Sequence, residues 1–130
     1  MKKVLFILMF SLFCISATPA EKDTTLYASG NIKTCTTKLD GGYKLTKYYE
    51  SGSVEEIEYF NLDKERVGTW VRYSENGSII YTANFKDDKK HGDWNMYNSD
   101  GKLVMCIIYN EGKRAFVCAI TEDNKLAVAK

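Results

Sequence analysis

A 24-residue echo constrains this chain more than any other feature. GTWVRYSENGSIIYTANFKDDKKHG, starting at Gly68, is answered by GDWNMYNSDGKLVMCIIYNEGKR, starting at Gly92. Gly68 maps to Gly92, Trp70 to Trp94, Tyr73 to Tyr97, Gly77 to Gly101, Ile79 to Leu103 and Phe85 to Tyr109, each displaced by 24 positions. A period of this length means one supersecondary unit placed beside copies of itself, so the architecture follows from the unit. Upstream, the Tyr-x-x-x-Gly core recurs as Tyr48 to Gly52 and, in weaker form, as Leu26 to Gly30. The glycines at 30, 52, 77 and 101 are spaced 22, 25 and 24 apart. The extra residue of the longest spacing falls in the polar connection NLDKERV, where it leaves the flanking pattern in phase.

Each unit reads as strand, tight turn, strand. Trp70 to Tyr73 is short and aromatic, and Ser74-Glu75-Asn76-Gly77 is a turn closed by glycine. Ile79 to Phe85 is rich in β-branched and aromatic residues. Simple alternation puts Ile79, Tyr81, Ala83 and Phe85 on one face, with Leu103, Met105, Ile107 and Tyr109 repeating that row one unit later. The sole proline, Pro19, lies outside the repeats, and no helical stretch of ten or more residues follows Ala20. The expected fold is all-β: an elongated antiparallel sheet of stacked β-hairpin repeats with a period of about 24 residues.

The ends differ from the middle. Lys2 and Lys3 precede the apolar run Val4 to Ile15, and small residues lead to Ala20 before the charged Glu21-Lys22-Asp23. Residues 1–20 therefore read as a signal peptide cleaved near Ala20, and the chain as exported to the periplasm, the cell surface or the medium. A membrane would be met only through an uncleaved signal segment. Residues 21–42 read as an N-terminal cap or degenerate repeat, 43–114 as the repeats, and 115–130 as capping strands. In that last segment Phe116 and Cys118 stand where Gly and Trp would be.

Charge excludes one large class of partner. With Lys2 and Lys3 removed, 16 basic residues face 17 acidic ones, and the densest basic stretch, Lys86 to His91, contains Asp87 and Asp88. That is a solvated turn and no nucleic-acid footprint. Cys35, Cys106 and Cys118 remain after cleavage. If the last hairpin turns around Gly112, Cys106 lies opposite Cys118, which leaves either a strained disulfide between them or two free buried thiols.

The Gly-x-Trp-x-x-Tyr motif, the Asn/Asp-Gly turn, the extended run ending in an aromatic and the Lys-Lys-His-Gly link together resemble the MORN repeat. The variant they are most similar to is the bacterial one that carries an antitoxin-like label. The match is closest in GTWVRYSENGSII and KKHGDWNMYNSDGKL and covers roughly Tyr43 to Arg114, most of the mature chain. The resemblance implies stacked hairpins and a binding or scaffolding role, and it implies no reaction.

The residues themselves show no catalytic constellation, no cofactor motif and no metal-ligand spacing. His91, the sole histidine, reads as a link residue of the turn. Glu55, Glu56 and Glu58 form the one acidic cluster beside a strand; paired carboxylates can hydrolyse glycosides, but a strand with a solvated face near the edge of the array is the simpler reading. Binding is expected at the recurring aromatics Trp70, Tyr73, Trp94 and Tyr97, which form ladders either as core or as an exposed strip. The leading expectation is an exported, non-enzymatic protein-binding or scaffolding module of the bacterial cell envelope or exterior. The alternatives are a carbohydrate-binding module, taking glycan on an aromatic strip, and an antitoxin- or immunity-like protein.

Overall fold

The computed structural model describes residues 21–120 and 126–129. The signal segment read at 1–20 and the turn at 121–125 lie outside the described residues. Among the described residues there are eleven strands: β1 (Lys22–Leu26), β2 (Ile32–Leu39), β3 (Gly42–Tyr48), β4 (Val54–Asn61), β5 (Gly68–Tyr73), β6 (Ile79–Lys86), β7 (Lys89–Lys90), β8 (Gly92–Tyr97), β9 (Leu103–Asn110), β10 (Lys113–Ile120) and β11 (Leu126–Ala129). They form one antiparallel sheet in chain order, with the two-residue β7 pairing back on β6 and β8 taking its place in the main series. The all-β fold of consecutive hairpins is thus as the repeat dictates.

Four hairpins are built alike, β1–β2, β3–β4, β5–β6 and β8–β9. In each, two backbone hydrogen bonds fix the turn: in β5–β6, Gly77 N–H donates to Ser74 O at 2.9 Å and Ser74 N–H to Ser78 O at 2.8 Å. The same pair recurs at Tyr27–Asn31, Tyr49–Ser53 and Asn98–Lys102. Gly77 has φ of 87°, a left-handed conformation that glycine adopts without steric cost, and it closes a three-residue hairpin loop. Beyond each turn one residue drops out of register, namely Lys33, Glu55, Ile80 and Val104. A bulge at the same place in every hairpin is a designed part of the unit.

That bulge changes the face assignment. Arg72 pairs with Tyr81, and its neighbour Tyr73 pairs with Ile79, so Ile79 and Tyr81 lie on opposite faces. Leu103 and Met105 part company in the same way, opposite Tyr97 and Met96. Simple alternation had placed Ile79 and Leu103 in the aromatic row; a bulge adds a residue without changing composition, and the row shifts.

The C-terminal end also departs from regularity. Glu111 and Gly112 have φ of 48° and 83°, the two positive values of a type I′ turn, so β9 and β10 join through a two-residue loop between Asn110 and Lys113. A hairpin centred on Gly112 with regular strands is therefore not what forms. A further irregularity between Arg114 and Phe116 resets the register, and Cys118 then pairs with Cys106. Their Cα atoms are 4.9 Å apart, within the range of a disulfide, and the sulfurs stand in bonding contact; Cys35 is unpaired and half-buried. The same reset turns Cys118 to the face opposite Trp94, and Val117, opposite Ile107, takes the ladder position instead.

Candidate functional site

Following the cross-strand pairs, one face carries Lys47, Glu56, Arg72, Tyr81, Met96 and Met105 in one row, and Leu45, Glu58, Trp70, Ala83, Trp94 and Ile107 in the next. A third row holds Tyr43, Phe60, Phe85 and Tyr109, with Gly68 and Gly92 opposite Phe85 and Tyr109. The glycines carry no side chain into that row, and the tryptophan two residues later fills the gap. Ring centroids run Phe60 to Trp70 5.2 Å, Trp70 to Phe85 4.7 Å, Phe85 to Trp94 5.2 Å and Trp94 to Tyr109 5.3 Å, all tilted or edge-on. These are the separations and angles at which aromatic pairs attract beyond their simple burial.

Each indole is fixed by one further bond. Trp70 Nε1 donates to Tyr59 O at 3.0 Å and Trp94 Nε1 to Asn84 O at 2.9 Å, the same contact in successive units. Cations cap the ladder: the Arg66 guanidinium carbon lies 4.6 Å from the Phe85 ring, and Lys90 Nζ lies 4.4 Å from Trp94 and 5.0 Å from Tyr109. Phe85, at the centre, is 7% exposed. Trp70 and Trp94 are half-buried. The ladder is therefore both the packing core of the unit and one wall of an open face.

Of the aromatics named from the sequence, Trp70 and Trp94 come together in this ladder. Tyr73 and Tyr97 do not: they pair with Ile79 and Leu103 on the opposite face. Along the turn ends, tyrosines bind one hairpin to the next, Tyr27 Oη donating to Tyr48 O at 2.7 Å and Tyr49 Oη to Tyr73 O at 2.8 Å.

The acidic cluster overturns the reading made from sequence. Glu56 and Glu58 are each only 5% exposed; the expected solvated strand face is in fact the tryptophan face. Lys47 Nζ reaches Glu58 Oε1 at 2.5 Å and Glu56 Oε2 at 3.2 Å, and Tyr81 Oη donates to Glu56 Oε1. Arg72 Nη2 meets Glu55 Oε1 at 2.8 Å, an approach made from the bulge position. The carboxylates can be buried because the strand opposite supplies Lys47 and the next hairpin supplies Tyr81.

The electrostatics follow from two cations serving three carboxylates. Burial pushes the Glu58 carboxyl above its ordinary value; the Lys47 hydrogen bond resists this, and the Glu56 charge adds to it. For Glu56 burial acts in the same direction, but the hydrogen bonds from Tyr81 and Lys47 overrule it and hold the carboxyl below its ordinary value. Burial, with the carboxylate beside it, raises the Tyr81 phenol to about 12. Lys47 would be lowered by burial, but both glutamates raise it. Neither glutamate lines either of two cavities on this face.

Those cavities flank the cluster. One, of about 600 Å³, lies over β1–β4 and has Tyr43, Leu45 and Phe60 as its apolar part, with Asp23, Thr36 and Lys38 around them. The other, of about 430 Å³, lies over β5–β9 between Trp70, Phe85, Trp94, Ile107 and Tyr109. His91 is held in its link by a backbone bond to Asn84 O, and its Nδ1 is enclosed without a hydrogen-bond partner, 3.9 Å from Glu111 Oε1. Among the described residues no group of three or more His, Cys, Asp or Glu side chains is arranged to hold a metal ion.

Residues 66–87 match the family model described as the MORN repeat variant. That segment contains β5 and β6, the unit with the full Gly-x-Trp ladder. No curated protein and no solved structure matches the chain. The matched segment is one of four hairpins that share its turn and bulge, so the chain is a repeat protein with one unit similar to the MORN repeat variant.

The buried role of Glu56 and Glu58 did have a signal in the sequence. Read on the repeat offsets, Glu56 stands where Tyr81 and Met105 do, Glu58 where Ala83 and Ile107 do, and Lys47 where Arg72 and Met96 do. Two acids and one base at adjoining interior positions of the same unit announce a buried ion pair.

Proposed function

We propose that this is an exported, non-enzymatic repeat protein of a bacterial cell envelope or exterior, and that its tryptophan face binds a protein partner. The observation that carries the reading is the single-layered sheet. The described residues place no second layer over the ladder, and Met96, beside Trp94, is 47% exposed. Apolar side chains left open in a row, rimmed by charge, favour association. The non-enzymatic part is supported by the closure of the one carboxylate pair, whose oxygens are engaged by Lys47 and Tyr81. Export rests on the Lys2-Lys3 and Val4 to Ile15 pattern.

A photo-crosslinking residue placed at Met96 should trap a discrete partner in the native organism, whereas one at Asp93, on the opposite face, should not. Equal adducts from both positions would remove the tryptophan face from the account. Sequencing the recovered protein from its N-terminus should begin at Glu21; a chain that keeps Met1 would sink the export reading.

Carbohydrate binding is the second reading, favoured by the 600 Å³ cavity, where the rings of Tyr43 and Phe60 lie beside Asp23, Thr36 and Lys38. Rings beside hydroxyl and charged groups suit a sugar's apolar face and its polar edge. Calorimetric titration with a glycan panel should show binding that Tyr43→Ala removes, and a flat response across the panel would discard it.

A further inference from the structure

The cavity between the two tryptophans has a chemistry of its own. Its floor is made by Trp70, Ala83, Phe85, Trp94 and Ile107, and it crosses β5, β6, β8 and β9, about 14 Å at the spacing of neighbouring strands. The polar atoms of its aromatic walls are engaged, with the Tyr109 hydroxyl the exception. The indole N–H groups of Trp70 and Trp94 are spent on Tyr59 O and Asn84 O, and the Tyr81 hydroxyl donates to Glu56. An extended peptide backbone laid along this floor would leave most of its amides without partners, at a cost of about 1–3 kcal/mol for each buried group. A hydrocarbon or aryl body would not incur that cost.

At one end stands Lys90. Its Nζ is stacked over the rings of Trp94 and Tyr109, both of which line the cavity, and among the described residues no carboxylate lies within salt-bridge distance of it. Two of the acids nearby are already engaged. Glu111 is shared by Lys86, Lys89 and His91, and Asp88 is taken by Arg66. One surplus cation at the mouth of an apolar trough is complementary to one anion on an apolar body.

We propose that this trough is a binding site for a free amphiphilic monoanion, a medium-length acyl or aryl carboxylate, with its body between Trp70, Phe85 and Trp94 and its charge on Lys90. The site does not depend on the protein partner: either can fail while the other stands. Because the chain has only two tryptophans and both line the trough, their fluorescence reports on occupancy.

The test is a fluorescence titration of the whole protein, below micellar concentrations, with decanoate, decyl sulfate, decyltrimethylammonium and octyl glucoside. Saturable change is expected with the two anions, and weaker binding by about tenfold or more for the cation and the neutral glucoside. Lys90→Met should weaken decanoate binding by about tenfold, while Lys90→Arg and the control Lys86→Met retain it, all with the parent's urea midpoint. Equal binding of all four amphiphiles, or decanoate binding untouched in Lys90→Met, would overturn the site. So would the absence of any saturable change with decanoate. Binding to phosphatidylglycerol vesicles that persists in Lys90→Met, with no response to free decanoate, would assign the rings to a membrane surface and reject the small-molecule site.

Discussion

Two hairpins of this molecule share a backbone and differ in what they put on it. In β5–β6 the interior face carries Trp70, Arg72, Tyr81, Ala83 and Phe85; in β3–β4 the same positions carry Leu45, Lys47, Glu56, Glu58 and Phe60. Turn hydrogen bonds and bulge position are alike in both. The frame is therefore set by the turn glycine, the bulge and the strand lengths, and it accepts either an aromatic or an ionic filling. The two fillings meet at Tyr81, which sits over the aromatic cavity and donates to Glu56. The aromatic ladder runs into the polar unit as far as Phe60.

The comparison breaks most visibly at Phe85, the ring between the two indoles. Phe85→Ala should cost about 3–5 kcal/mol in urea unfolding, because both neighbouring tryptophans lose their packing partner. A loss that large rivals the whole stability of a domain this size. The corresponding deletion in the ionic unit, Lys47→Met, should cost about 3 kcal/mol by leaving Glu56 and Glu58 buried beside one another without their shared cation. Were it instead neutral, the pair would be solvated in solution and the two fillings would not be equivalent.

Much of this is legible in the chain itself. The period, the turn glycines and the Trp ladder positions recur as residue identities, so the hairpins and their order could be read directly. The bulges could not, because Lys33, Glu55, Ile80 and Val104 share no chemistry and an extra residue leaves no trace in composition. Missing them put Ile79 and Leu103 on the wrong face. Glu56 and Glu58 were misread for another reason: an isolated carboxylate usually seeks water, and only their place in the repeat, opposite Lys47, marks them as interior. Sequence grouped Trp70 with Tyr73 because both recur, yet recurrence does not say which way a strand residue points.

At the C-terminal side the ladder ends differently, with Val117 opposite Ile107 in place of another tryptophan and Cys106 opposite Cys118 on the other face. Peptide mapping of protein from an oxidising compartment should find these two linked and Cys35 free. Cys118→Ala should then cost about 3 kcal/mol, less than the loss at Phe85 and similar to that at Lys47, since the crosslink closes only a short loop. A link from Cys35 to either partner would contradict the strand order.

A smaller effect sharpens the equivalence of the units. Lys47→Met, Glu56→Met and Glu58→Ile together install the residues of Met96, Met105 and Ile107 in the polar unit. Replacing a buried ionic group by apolar side chains of similar volume is often neutral or stabilising by about 1–4 kcal/mol. The triple variant should therefore unfold at or above the parent's midpoint, although Lys47→Met alone falls well below it. A triple variant as weak as the single one would mean that the frame is specific to its ionic filling.

The most direct measurement is the titration of the two glutamates by carbon NMR of their side-chain carboxyls. Glu58 binds its proton more tightly folded than unfolded, so its contribution to stability is full below the ordinary glutamate value and is lost as the pH rises through the raised folded value. Glu56 has the opposite sign: its contribution is present above the ordinary value and is lost as the pH falls through the lowered one. Two separated titrations are expected, Glu58 above and Glu56 below the ordinary glutamate value, and Lys47→Met should displace both to higher pH. Two coincident, unperturbed titrations that ignore Lys47→Met would contradict it, because carboxylates that behave so are in water and not on the tryptophan face.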